Sequence, residues 1–385
     1  MSFYKKRLEK VRRAMTEWGA DILFLNFSPD MVYLTGVQTP MYYHILKGDG
    51  DWINGLLVSL DKDPVLIFQD SMAVISAESI DRTGGQDIRL LSRGEDPEPF
   101  FKKIVAEFAP DGKTIAVGKM VWSQSLLALR EAAPGAQFIP ATSPMMDKVR
   151  EVKDEEELRL MRKAGEITEA SLAATIANMH SGMTERDVAI EVEHQIKRAG
   201  GDGCSFYPGI ICVGLGSDPE RSIMTRNTDM VLQPGTTVAF DFGVLYKGYC
   251  TDFGRSVFVG EPNPEALRAY ESIVKGSRGV VKKMGDGKMS PEQIADFVKD
   301  SVTADGFGEY YWYYGSGHAI GLEVHEAPWL RPGNKEPVKK GMCFTIEPKI
   351  WKPGEFYVRI EDVVAVGEEH GETLTKFSYE PLLIE

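Results

Sequence analysis

Apolar residues at three- and four-residue spacing, Leu8, Val11, Met15 and Trp18, predict a helix over Lys5 to Trp18 that Gly19 can terminate. A strand, Asp21 to Leu25, follows at once. Short apolar runs at Leu56 to Ser59, Val65 to Phe68, Ile88 to Leu91 and Thr114 to Val117 then alternate with helical stretches at Glu98 to Phe108 and Gln124 to Ala132. Strands interleaved with helices predict an α/β layer domain. The pattern changes at a charged connector, Asp147 to Lys153, so residues 1–148 and 149–385 are expected to form separate domains.

The second part opens on a long helix with Leu158, Met161, Ala164, Ile167 and Leu172 on one face, reaching about Met179. Its four leading acids, Asp154 to Glu157, suit the positive end of a helix and read as a first turn favoured by the dipole rather than a binding patch. Thr184 with Asp187 caps a second helix that closes at Gly200-Gly201. Strands are expected at Ile210 to Val213, Val238 to Gly243, Cys250 to Val259, Met342 to Glu347 and Tyr357 to Val366. Helices are expected at Pro264 to Met284 and Pro291 to Thr303, the latter capped by Ser290. Helices and hairpins without regular βαβ alternation make this half α+β.

Composition narrows the function classes. The 385 residues include 57 acids against 44 bases, a net charge of -13 that repels phosphate backbones and anionic membrane surfaces. Nucleic acid is therefore not an expected partner. No run reaches the roughly 20 apolar residues of a membrane span, and no apolar segment follows the basic N-terminal residues. Four cysteines, Cys204, Cys212, Cys250 and Cys343, form no CxxC pair, which argues against a zinc knuckle or a disulfide framework and suits a reducing cytoplasm.

The chemistry concentrates on acids within apolar strands. Asp241, in VAFDFG, needs a partner or a metal if it is buried. A hairpin turning at Tyr246-Lys247-Gly248 sets Asp252 opposite it, two like charges facing each other in a sheet. A second hairpin turning at Pro353-Gly354 sets Glu347 opposite Glu361 in the same way. Four such acids need a common counter-charge, and a pair of divalent cations supplies it. His318, in GSGHAIG, is the candidate nitrogen ligand, its glycines letting the backbone approach closely. A mostly oxygen ligand set favours manganese, cobalt, iron or zinc over a thiolate-type zinc site. One acid beside an apolar run is commonly a solvated edge; the set of five is far more specific.

The order Asp241, Asp252, His318, Glu347, Glu361, in the contexts FDFG, TDFGR, GHAIGLEVHE, TIEP and RIED, resembles the dinuclear metallohydrolases of prolidase, aminopeptidase P and methionine aminopeptidase, a family that also includes the metal-free creatinase. REVKDEEELRLMRKA, from Arg150, and NFSPDMVYLTG, from Asn26, extend the likeness over the whole chain. The resemblance implies a C-terminal pita-bread catalytic domain behind an α/β N-terminal domain, a homodimer, and two divalent ions, manganese first and cobalt, zinc or iron as alternatives. It implies that Asp241 holds one ion, that His318 and Glu347 hold the other, and that Asp252 and Glu361 bridge. A hydroxide shared by two ions about 3.5 Å apart would attack the Xaa-Pro amide of a small peptide. Glu347 would move the proton to the leaving nitrogen, His325 would contact the substrate carbonyl region, and Arg359 would sit near the site.

One departure bears on substrate. The resembling peptidases carry a histidine seventeen residues before the first metal aspartate, and here that position is Met224, whose thioether donates no hydrogen bond. Two other chemistries therefore stand beside peptide cleavage: hydrolysis of a small non-peptide C–N bond, as in creatinase or ectoine hydrolase, and a metal-dependent lyase reaction. Met224, His44 in the aromatic segment Met41 to Trp52, and Tyr314 in the run Tyr310 to Tyr314 are the candidate substrate-binding residues.

Overall fold

The computed structural model describes residues 3–38, 50–70, 87–141 and 145–385, so His44 lies outside the described residues. The chain divides into two compact units, Met1–Arg150 and Glu151–Glu385. In the first, six described strands form one sheet: Ile22–Asn26 (β1), Gly55–Ser59 (β2), Val65–Gln69 (β3), Asp87–Leu91 (β4), Thr114–Val117 (β5) and Gln137–Pro140 (β6), in the order β4-β3-β2-β1-β5-β6. Helices Phe3–Glu17, Pro97–Ala106 and Ser123–Ala132 accompany it, and Phe24, Trp52 and Phe101 pack edge-on in its core. Of the residues read as a charged connector, Asp147 to Glu151 are instead helical, within Met145–Glu151, and Val152 bridges Met342. Their alternation of apolar and charged positions suits a helix with one buried face, and Val149 and Arg150 are buried.

The second unit contains the strands Gly203–Cys204 (β7), Gly209–Gly214 (β8), Thr236–Phe242 (β9), Val244–Tyr246 (β10), Tyr249–Cys250 (β11), Phe253–Val259 (β12), His318–Ala319 (β13), Glu326–Trp329 (β14), Cys343–Ile346 (β15), Lys349–Lys352 (β16), Phe356–Arg359 (β17), Asp362–Val366 (β18), Gly371–Thr373 (β19) and Leu382–Ile384 (β20). They assemble as sheets β20-β12-β9-β8, β14-β13-β15-β18-β19, β11-β10-β7 and β16-β17. Helix starts at Thr184 and Ser290 follow the sequence signals, each in a reciprocal capping box with Asp187 and Gln293, while Asp154, read as part of an acidic first turn, is itself the N-cap of its helix in a capping box with Glu157. Among the described residues, no helix is long and apolar enough to cross a membrane.

Two strands expected to be continuous are broken. Cys250 to Val259 is interrupted at Thr251-Asp252, and Tyr357 to Val366 at Ile360-Glu361; β15 likewise stops one residue short of Glu347. Three of the candidate ligands thus sit where the backbone leaves its ladder.

On the opposite face of β12 from Gly254, Arg255 is fully buried. Its Nη2 lies 2.8 Å from Asp362 Oδ1, its Nη1 donates to Gly254 O and Glu361 O, and its guanidinium lies over the Phe253 and Tyr379 rings. Asp362 also accepts from Thr375 Oγ1 and Tyr379 OH. Removing one partner of such a pair strands a buried charge. Arg255→Met should therefore cost about 3–5 kcal/mol of unfolding free energy in urea titrations; a loss under about 1 kcal/mol would show that β12 is held by other contacts.

A candidate metal centre

The first hairpin differs in register from the expectation. The turn uses Lys247 and Gly248, both with positive φ (50° and 85°), and β9 pairs with β12 so that Asp241 faces Gly254 rather than Asp252. The shift is two residues. Because side chains alternate with period two, the displacement leaves Asp252 on the same side and makes the two acids diagonal neighbours instead of opposite ones. The second hairpin has the expected register: Ile346 faces Asp362 and Lys349 faces Arg359, which puts Glu347 level with Glu361 between the two ladders.

The hairpins join at Gly254 and Glu361, whose backbones exchange hydrogen bonds, Gly254 N to Glu361 O at 3.2 Å and Glu361 N to Gly254 O at 2.8 Å. A side chain cannot be added at this crossing, because a Cβ on Gly254 would stand 2.7 Å from Arg359 Nε and 2.8 Å from Phe240 O. His318 enters from β13. Gly317 before it has φ 145° and lies against Thr345 O, a close approach open to glycine alone. The His318 Nδ1–H donates to Ala319 O at 3.1 Å, which fixes the ring so that Nε2 faces Asp252 Oδ2 and Glu347 Oε1, each 3.5 Å away.

All five side chains are buried, and they fall into overlapping groups whose ligand atoms lie within 4.8 Å of one another: His318, Glu347 and Glu361; Asp241, Asp252 and Glu361; and Asp252, His318 and His325. The His325 ring stacks on Trp329 and meets His318 edge-on, with 4.4 Å between the two histidine centroids. Arg359 spans the acids: Nη1 is 2.5 Å from Asp241 Oδ2, and Nη2 pairs with Glu361 Oε2.

Burial and like charge push Glu361 well above the usual carboxylate range, with Asp252 and Glu347 its main repelling neighbours. Burial raises Asp252 as well. Burial also opposes ionisation of Asp241, but Arg359, Arg226 and Lys349 together outweigh it and hold that carboxyl low. Glu347 is similarly buried and is held low by Lys349, His318 and Arg359. Burial, together with the neighbouring His318, lowers His325, which is accordingly neutral at pH 7. Two carboxylate oxygens, Asp252 Oδ1 and Glu361 Oε1, are buried without any hydrogen-bond partner. Orphaned acceptors of this kind are costly, and a divalent cation satisfies them. The donor set, carboxylate oxygens plus one imidazole, fits such an ion.

Other expected site residues are less engaged. Met224 lies on the loop before β9, 70% exposed, with its sulfur 4.0 Å from Arg226 Nη2. Tyr314 is 84% exposed in a short 3-10 turn, where its ring meets Tyr313 rather than the acids. Two cations escaped the sequence reading. Arg226 Nη1 reaches Asp241 Oδ2 at 2.5 Å, and the buried Lys349 ammonium pairs with Glu347 Oε2. Lys349 was accessible to the alternation rule, since Glu347 and Lys349 on one chain segment and Arg359 and Glu361 on the other are each two residues apart.

Comparison with known proteins gives the family. Residues 159–368, more than half of the chain, match "Metallopeptidase family M24", and residues 7–152 match "Creatinase/Prolidase N-terminal domain". An Xaa-Pro dipeptidase of Lactobacillus helveticus is 28% identical over 369 residues, 96% of each chain, and one of Pyrococcus furiosus is 26% identical over 98% of this chain and all of that one. Among solved structures, the recombinant prolidase of Thermococcus sibiricus superposes with a TM-score of 0.83 at 28% identity, each chain covered completely. The Xaa-Pro dipeptidase of Bacillus anthracis gives 0.83 at 26%, covering 99% of this chain and all of that one. The α+β second unit thus has the pita-bread architecture, the family implies divalent metal ions, and the chain belongs to metallopeptidase family M24.

Proposed function

We propose that this protein is a metal-dependent dipeptidase or aminopeptidase that hydrolyses the Xaa-Pro amide bond of small peptides. The observation that carries the reading is the convergence of Asp241, Asp252, His318, Glu347 and Glu361, with two buried carboxylate oxygens left for a cation. The names of the full-length relatives, Xaa-Pro dipeptidases and a prolidase, support the choice of substrate. Manganese is the ion we propose. When bound, it would polarise the scissile carbonyl and acidify a water at neutral pH.

The chain's own residues divide the remaining work. Glu347, with Oε1 facing His318 and Oε2 on Lys349, accepts the proton of the attacking water and delivers it to the leaving nitrogen. Neutral His325, exposed beside His318, offers a ring N–H to the substrate carbonyl region. Arg359 is a positioning residue that sets Asp241 and Glu361 through its two Nη groups. We also propose a homodimer, on the resemblance, and a cytoplasmic location, which four cysteines without a CxxC pair suit.

Met224 favours one second reading, hydrolysis of a small non-peptide C–N bond, because its exposed thioether stands where the resembling peptidases place a hydrogen-bonding histidine. Product analysis by mass spectrometry decides between the two. Manganese-loaded protein mixed with an Xaa-Pro dipeptide and tripeptide should release the N-terminal residue, and Glu361→Ala should reduce that rate by more than about 100-fold, beyond the usual cost of disturbing an outer-shell partner. Metal-loaded protein that cleaves neither peptide would turn the assignment to non-peptide amides. Met224→His should raise kcat/KM for Xaa-Pro substrates at least about tenfold; an unchanged value would show that the missing imidazole does not limit peptide cleavage.

A further inference from the structure

The acidic cluster contains more fixed positive charge than ligand positioning requires. Asp241 Oδ2 receives two guanidinium groups, from Arg226 and Arg359, each at 2.5 Å. Glu347 Oε2 is taken by Lys349, and Glu361 Oε2 by Arg359. The donors these cations leave over are Glu347 Oε1, Glu361 Oε1, Asp252 and His318 Nε2; His318 Nε2 lies 3.5 Å from both Asp252 Oδ2 and Glu347 Oε1 and shares a group within 4.8 Å with Glu347 and Glu361, whereas the Asp241, Asp252 and Glu361 group holds the carboxylate that the two guanidinium groups occupy.

The seats of these cations are built into the fold. Asp241 is flanked across the sheet by glycines, Gly209 on β8 and Gly254 on β12. A Cβ at Gly209 would stand 2.5 Å from Arg226 Nη1 and 2.7 Å from its Cδ; one at Gly254 would meet Arg359 Nε at 2.7 Å. Gly315 does the same for Lys349, with a Cβ there 3.0 Å from Lys349 Cε and 3.2 Å from Nζ. Each cation therefore occupies space that a missing side chain provides, and Lys349 is buried.

Counting formal charge gives the consequence. Asp241, Asp252, Glu347 and Glu361 carry four negative charges, and Arg226, Arg359 and Lys349 carry three positive ones, a net of one negative. A single divalent ion with one hydroxide neutralises the cluster, whereas two divalent ions sharing a hydroxide leave it doubly positive. Uncompensated buried charge costs several kcal/mol per ion. We propose that Arg226 and Lys349 take over the charge of a second ion, so that the centre holds one divalent cation tightly, on Asp252, His318, Glu347 and Glu361.

This inference rests on the metal-binding reading of the cluster, and its test separates the two. Chelator-stripped full-length protein is titrated with manganese by calorimetry, and retained metal is counted by elemental mass spectrometry after gel filtration. Wild-type protein should retain about one equivalent per chain. Arg226→Met/Lys349→Met should bind a second at least about tenfold more tightly than wild type does, with Arg226→Met alone, a change on a half-buried loop residue, giving a smaller gain in the same direction. Thermal unfolding of each variant checks that it is folded. Two equivalents retained by wild type would overturn the inference while leaving the metal reading intact, and so would folded variants, single and double, whose second binding is no tighter. No metal retained by wild type would sink the metal reading itself, and this inference with it.

Discussion

Four carboxylates buried at one crossing of strands are the constraint on which the second unit is organised. Each would repel the others across a few ångströms of poorly solvated space, and Glu361 shows the consequence directly, its proton affinity raised by burial and by Asp252 and Glu347. A fold can keep such a cluster ionised only by answering it with cations. Here the answer is partly built into the chain, through Arg226, Arg359 and Lys349, and partly left to be supplied, as the partnerless oxygens of Asp252 and Glu361 show.

The backbone irregularities follow from the same demand. Regular ladders hold side chains perpendicular to the sheet, spaced by the strand geometry, and would not aim four carboxylates at one point. Asp252, Glu347 and Glu361 instead lie where the ladders break, and Gly254 lets the β12 backbone reach Glu361. Gly317 performs the equivalent service for His318, bringing the backbone against Thr345 O so that Nε2 lies between Asp252 and Glu347.

Most of this was legible in the sequence, and what was missed has physical reasons. The turn at Pro353-Gly354 has one glycine at positive φ, 73°, and unambiguous punctuation, so the Glu347–Glu361 register could be read directly. The other turn places Lys247, a residue with a Cβ, at φ 50°, where Asn, Asp or Gly is the usual choice. Its centre was therefore read one residue early, and the register followed it by two. The slip did no harm to the ligand set because parity was preserved. Lys349 lies on the same alternation that points to Glu347, but a lysine is not a metal ligand and carries no such signature in the sequence. Arg226 could not be found that way, since it reaches Asp241 from an irregular loop, and no periodicity reports where a loop side chain goes.

The same strands carry a second charge cluster, of opposite purpose, on their other face. Gly254 and Glu361 face the acids, while their neighbours Arg255 and Asp362 pair 2.8 Å apart in a buried network with Thr375 and Tyr379. Alternation thus lets adjacent residues serve different ends: one face keeps oxygens unsatisfied and ready for a cation, while the other satisfies its charges fully and fixes the crossing. The two are mechanically joined, because Arg255 Nη1 donates to the carbonyls of Gly254 and Glu361 themselves. A displacement of Arg255 would move the backbone that aims Glu361, so the fully paired face supplies the rigidity that lets the other face remain incomplete.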